Sequence, residues 1–142
     1  MSAVTPAIAE ALGMGTAVDY LNNIGINKIE DYERKLTREL YKGFEQINGV
    51  TTYGSDPKNK IALIYFNING FAPRDVSIEL DKLAKIMVRA GHHCALPLIK
   101  CIAGKNGTVR ASAYFYNTKE EIELLLQTTE EIAKRSSSSK DL

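Results

Sequence analysis

From Val109 to Tyr116 the residues alternate without a break, Val109, Ala111, Ala113 and Phe115 against Arg110, Ser112, Tyr114 and Tyr116. Successive side chains of a strand point to opposite faces, so the run specifies a strand with one apolar and one polar side. Arg110 falls on the side away from the core. Helical patterns elsewhere supply the cover for the apolar side. Thr5 to Ile24 reads as a helix with Thr5 as cap and Pro6 in the first turn, apolar at Ile8, Leu12, Val18 and Leu21. Ala9, Gly13 and Ala17 form a second, small-residue stripe that permits close approach of another element. Asn27-Lys28-Ile29-Glu30 resembles a capping box opening a second helix, with Ile29, Tyr32, Leu36, Leu40, Phe44 and Ile47 on one face and Asn48-Gly49 as its stop.

Val50 to Tyr53 reads as a short strand, and Ile61 to Phe66 is a continuous apolar run suited to a buried one. Pro73 opens a helix bearing Val76, Leu80 and Leu83, and Ile86-Met87-Val88 is strand-like. Pro97 opens a short helix through Leu98, Ile99 and Cys101, in which Cys101 is expected to be a semi-buried thiol. Thr118-Lys119-Glu120-Glu121 is a capping box for a last helix with Ile122, Leu125, Leu126 and Ile132 inward. The order predicts an α+β domain, a small and mostly antiparallel sheet with helices on one side. Residues 1–24 are expected as an inter-domain helix, 25–135 as the domain and 136–142 as a disordered tail, since Ser136 to Asp141 offer nothing apolar to pack.

At 142 residues and 44% hydrophobic composition the chain suffices for one domain with a core. A net charge of +1 gives no electrostatic reason to expect nucleic acid or an anionic membrane as partner. Two cysteines seven residues apart make a poor disulfide framework, which points to a reducing compartment, the cytoplasm or a plastid. No apolar stretch approaches the roughly 18 residues of a membrane span, and no signal peptide is visible.

The chemistry concentrates in Arg89-Ala90-Gly91-His92-His93-Cys94-Ala95-Leu96-Pro97. Gly91 allows a sharp exit from a strand, leaving Cys94 in a loop just before a helix, beside an arginine and two histidines. Such surroundings favour thiolate, the nucleophilic form. From the residues alone an ordinary loop cysteine explains the stretch equally well, and Arg110 reads as a surface ion-pair residue. A metal site from His92, His93 and Cys94 is a further reading, weakened because adjacent side chains diverge.

As a unit the nine residues resemble the active-site loop of Suf-type (group II) cysteine desulfurases, or selenocysteine lyases, whose motif reads Arg-x-Gly-His-His-Cys-Ala-x-Pro. The resemblance continues through Thr108 to Glu121 and begins at Thr5-Pro6-Ala7-Ile8-Ala9. It covers nearly the whole chain, as the C-terminal part of a longer enzyme, and agrees with the small domain that this family attaches to a fold-type I large domain. It implies that Cys94 is the thiolate that takes sulfur as a persulfide, for iron-sulfur cluster assembly. It further implies that Arg110 holds the substrate carboxylate, that Arg89 joins it among the substrate-binding residues and tunes the loop or the thiolate, and that His92 and His93 shape the loop.

By the same resemblance Thr5 touches the phosphate of pyridoxal phosphate across a homodimer, although Val4 stands where family members carry glycine. The family's partners are the large domain and a sulfur acceptor of the SufE or SufU type. The Ser-Gly-His-Lys stretch that carries the cofactor lysine is not in this sequence. Pyridoxal phosphate is therefore expected in the complete enzyme, with none for this chain alone. A standalone sulfur carrier that uses Cys94 without the cofactor is the alternative.

Overall fold

The computed structural model describes residues 7–54 and 61–138. Thr5 lies outside them. The chain divides into two compact units, residues 1–32 and 33–142.

In the first unit, α1 (Ile8–Ile24) ends where the N–H of Gly25 donates to the Leu21 carbonyl, and the Gly25 carbonyl then accepts from Lys28 and Ile29. That carbonyl starts α2 (Ile26–Glu45), which places Asn27 inside the helix. The expected capping box is thus not the start of α2, because a cap residue must lie outside the helical turn it closes. No residue of α1 is buried, and a Cβ on Gly13 would meet open space. Ala9, Gly13 and Ala17 of the small-residue stripe are exposed.

The second unit holds the rest of α2, β1 (Val50–Tyr53), β2 (Leu63–Ile68), α3 (Pro73–Ala84), β3 (Arg89–Gly91), α4 (Leu96–Ala103), β4 (Thr108–Ser112) and α5 (Lys119–Ser138). The four strands form one antiparallel sheet in the order β1-β2-β4-β3. This is the α+β architecture expected. Ala62, Ile64, Phe66 and Ile68 are buried, as are Val109 and Ala111 of β4. The register sets Phe66 beside Val109 and Ile64 beside Ala111, so these residues form one apolar face. Phe44 of α2 lies on it with its ring 4.6 Å from that of Phe66, and Val76 and Leu80 of α3 and Ile132 of α5 are fully buried. Gly43 lets α5 approach α2, since a Cβ there would overlap the Leu126 side chain.

Several boundaries differ from expectation. β2 runs from Leu63 to Ile68 and buries only alternate residues, leaving Ile61 exposed and Leu63, Tyr65 and Asn67 half-buried, so the apolar run is not covered on both faces. Ile86-Met87-Val88 is not a strand: pairing with β4 begins at Arg89. β4 ends at Ser112, although the alternation of burial continues to Phe115. Leu83 is exposed. The Thr118 box forms as the sequence indicated. The Glu121 N–H donates to Thr118 Oγ1 at 3.3 Å, and the Thr118 N–H to Glu121 Oε2 at 3.0 Å. α5 then continues to Ser138, three residues into the stretch expected as a disordered tail.

Candidate active site

The sheet face opposite the helices carries the chemistry. Antiparallel pairing puts Arg89 of β3 beside Arg110 of β4, and Arg110 beside Tyr65 of β2. Asn67, two residues on from Tyr65, donates from Nδ2 to the Tyr53 hydroxyl at 3.2 Å and to the Gly107 carbonyl at 3.0 Å. Directly opposed like charges destabilise a sheet unless something offsets them. Among the described residues no ion pair joins either arginine, and the buried Nε of Arg110 has no hydrogen-bond partner.

From the end of β3 the chain enters a four-residue turn, His92 to Ala95, closed by the Ala95 N–H donating to the His92 carbonyl at 2.8 Å. Both central residues are left-handed, His93 at φ 54° and Cys94 at φ 61°. This is the mirror-image turn that usually takes glycine, asparagine or aspartate. A non-glycine residue held so costs on the order of 1–3 kcal/mol, and persists only where its surroundings over-determine it. Three contacts do so. His92 Nε2 lies 3.1 Å from the Lys105 carbonyl. His93 Nε2 lies 3.0 Å from the Thr108 carbonyl and 2.9 Å from Thr108 Oγ1. Arg89 Nη2 donates to Cys94 Sγ at 3.3 Å.

A carbonyl only accepts, so Nε2 carries the proton on both imidazoles. The His93 ring meets Tyr65 edge-on, with centroids 5.2 Å apart. Burial holds the His93 pKa below its ordinary value, helped by the positive charges of Arg110 and Arg89, while the hydrogen bond to Thr108 acts the other way. The imidazole is therefore neutral near pH 7.

Cys94 is exposed, just before α4, whose N-cap is Ala95. Its sulfur thus meets a cationic donor on one side and solvent on the other, an arrangement that serves a nucleophile needing access to a substrate. Cys101 is exposed as well, contrary to the semi-buried position expected, because the eight-residue α4 buries only Ile99. The two histidines bind different backbone carbonyls rather than converging, and no group of three or more His, Cys, Asp or Glu among the described residues is placed to hold a metal ion. Sequence reasoning missed Tyr65, Asn67 and Thr108. The first two were visible as polar residues at alternate positions of an otherwise apolar run.

The sequence profile of the class-V aminotransferases matches residues 1–125. The chain belongs to that family. A probable cysteine desulfurase of Methanothermobacter thermautotrophicus is 48% identical over 128 residues that make up 89% of this chain and 32% of the relative. A probable cysteine desulfurase of Synechocystis is 47% identical over 87% of this chain and 30% of its own length. Among solved structures, the apo cysteine desulfurase of Thermococcus onnurineus superimposes with a TM-score of 0.86 at 42% identity, over 94% of this chain and 33% of the other. The chain therefore spans about a third of the length of the relatives it matches.

Proposed function

We propose that this chain supplies the sulfur-accepting and carboxylate-binding residues of a pyridoxal-phosphate-dependent cysteine desulfurase. The observation that carries the reading is an exposed Cys94 Sγ against Arg89, on a sheet face where Arg110 has no anionic partner among the described residues. The Cys94 thiolate attacks the sulfur of L-cysteine. A sulfur–sulfur bond forms as the substrate's carbon–sulfur bond breaks, the electron pair left on carbon takes a proton to give alanine, and Cys94 is left as a persulfide. The planar fork of Arg110, with its unpartnered Nε, suits the substrate's planar carboxylate. Arg89 favours the thiolate through its donor contact.

Pyridoxal phosphate, when bound, supplies the electron sink that lets the carbon–sulfur bond break. The described residues fit its substrate end, with a thiol and a carboxylate-binding arginine on one face. Thr5 is the position in this chain assigned to the cofactor phosphate, and the lysine-bearing large domain supplies the rest. Exposure of Cys94 suits onward transfer from the persulfide to an acceptor of the SufE or SufU type, for iron-sulfur cluster assembly, with the enzyme working as a homodimer in the cytoplasm or a plastid.

The test is Cys94→Ala in an enzyme joining this chain to its lysine-bearing domain. Persulfide disappears while cofactor absorbance remains; persulfide surviving in the variant overturns the assignment. A persulfide formed on Cys94 with no pyridoxal phosphate present would instead favour the standalone sulfur carrier.

A further inference from the structure

A turn built from two left-handed non-glycine residues does not hold itself, so something must fix the direction in which Cys94 points. The contacts of His92 and His93 differ in what they are anchored to. His92 reaches the carbonyl of Lys105, an exposed residue between α4 and β4. His93 reaches Thr108, which has no exposed surface and sits in the β3–β4 ladder opposite Gly91.

That ladder has no slack at this point. A Cβ on Gly107 would lie 2.5 Å from the Gly91 carbonyl oxygen, so the strand ends are in direct backbone contact and neither can shift toward the other. Tyr65 closes on the ring from β2. The cost of this placement is visible on the far side of the imidazole, where Nδ1 is buried without a partner among the described residues. A buried acceptor left unmade costs about 1–3 kcal/mol. The bond from Nε2 to Thr108 is kept at the expense of that site.

We propose that His93 is the positioning residue of the Cys94 nucleophile: its ring, pinned to Thr108, holds the left-handed turn so that Sγ lies on the Arg89 guanidinium and on the face shared with Arg110. The inference rests on the reading of Cys94 as the sulfur acceptor, and it adds the residue that aims it. His93 touches no reacting atom in this role. It acts through the backbone of its neighbour, because a ring fixed at residue 93 fixes the plane from which the Cys94 side chain departs.

The experiment uses the full 142-residue chain with Cys101→Ser, so that Cys94 is the only thiol. Its alkylation rate is measured with iodoacetate and with neutral iodoacetamide. The Arg89 guanidinium on Sγ favours the anionic reagent, so the ratio of the rates exceeds that of an unstructured cysteine peptide. His93→Gly removes the anchor while relaxing the left-handed backbone, and the ratio falls several-fold toward the peptide value. His93→Gln, whose amide nitrogen reaches about as far as Nε2, keeps most of the preference. His93→Phe keeps ring volume against Tyr65 and loses the preference, which separates anchoring from packing should the glycine variant melt. If His93 does not aim Sγ, the ratio stays at its wild-type value in the glycine or phenylalanine variant, and either result overturns the proposal. Persulfide formation on Cys94 is scored separately in the assembled enzyme with His93 intact. An unchanged ratio with persulfide present therefore refutes the aiming role alone, and a fallen ratio with no persulfide refutes the desulfurase reading alone.

Discussion

Arg110 is the residue whose loss separates a carboxylate site from a surface charge. A charge-assisted hydrogen bond to a bound carboxylate contributes about 1.5–3 kcal/mol, so Arg110→Ala in the assembled enzyme should lower kcat/KM for cysteine roughly 10- to 100-fold, mainly through KM. Unchanged constants would return Arg110 to the role of a solvated cation. His93 carries a second prediction, read on the chain itself. Its pKa is lowered from the ordinary 6.5, so on acidification the unfolded chain takes up the proton first. This contribution to stability is fully present above pH 6.5 and is lost as the pH falls from there through the lowered value. The melting temperature should decline over that window, and His93→Phe should flatten the decline; equal slopes in the two proteins would remove His93 as the source. Arg89, Cys94 and Arg110 were legible in the sequence because motif and alternation mark them. The hold of His93 on Thr108 was not, since it joins residues fifteen apart through a ladder whose register no local pattern fixes.

Among the elements, α5 and β2 are the most exposed to test. Thr118→Ala removes the Oγ1 acceptor of the reciprocal cap and should cost about 1 kcal/mol in urea unfolding. The Asn117 amide, with the Thr118 N–H, holds the Glu121 carboxyl below its usual value. What that carboxylate adds to the cap is present above the ordinary carboxylate range and is lost as the pH falls through the lowered value. Phe66→Ala empties the centre of the core and should cost about 3–5 kcal/mol. A loss under 1 kcal/mol would mean that the sheet and α2 do not pack as described. The Thr118 box was readable because nothing upstream competes with it. The same pattern at Asn27 failed because Gly25 had already turned the chain and offered its carbonyl two residues earlier. Ile86 to Val88 have strand-forming side chains, yet the ladder opens beside them into a cleft of about 310 Å³ reaching Ala111 to Ala113, Ile122 and Leu125. Pairing, not propensity, decided that boundary.

For the molecule as a whole, the apolar residues of α1 stand out. Ile8, Leu12, Met14 and Val18 are all exposed, Leu12 at 69%, on a chain that spans a third of its relatives' length. Leu12→Glu should leave the stability of this chain within about 0.5 kcal/mol while reducing its binding of a hydrophobic dye. A marked drop in melting temperature would show that Leu12 is already packed. The α+β class was readable from the whole pattern, because alternation in β4 demanded a one-sided sheet and the helical faces supplied its cover. The strand order was not, because it depends on contacts between distant segments. That order has an evolutionary consequence. One extra residue within Thr108 to Arg110 would turn over every later side chain of β4, sending the guanidinium beneath the helices and lifting aliphatic neighbours into water. Descendants of this chain can therefore change length freely before that strand or after it, but inside it only by even steps.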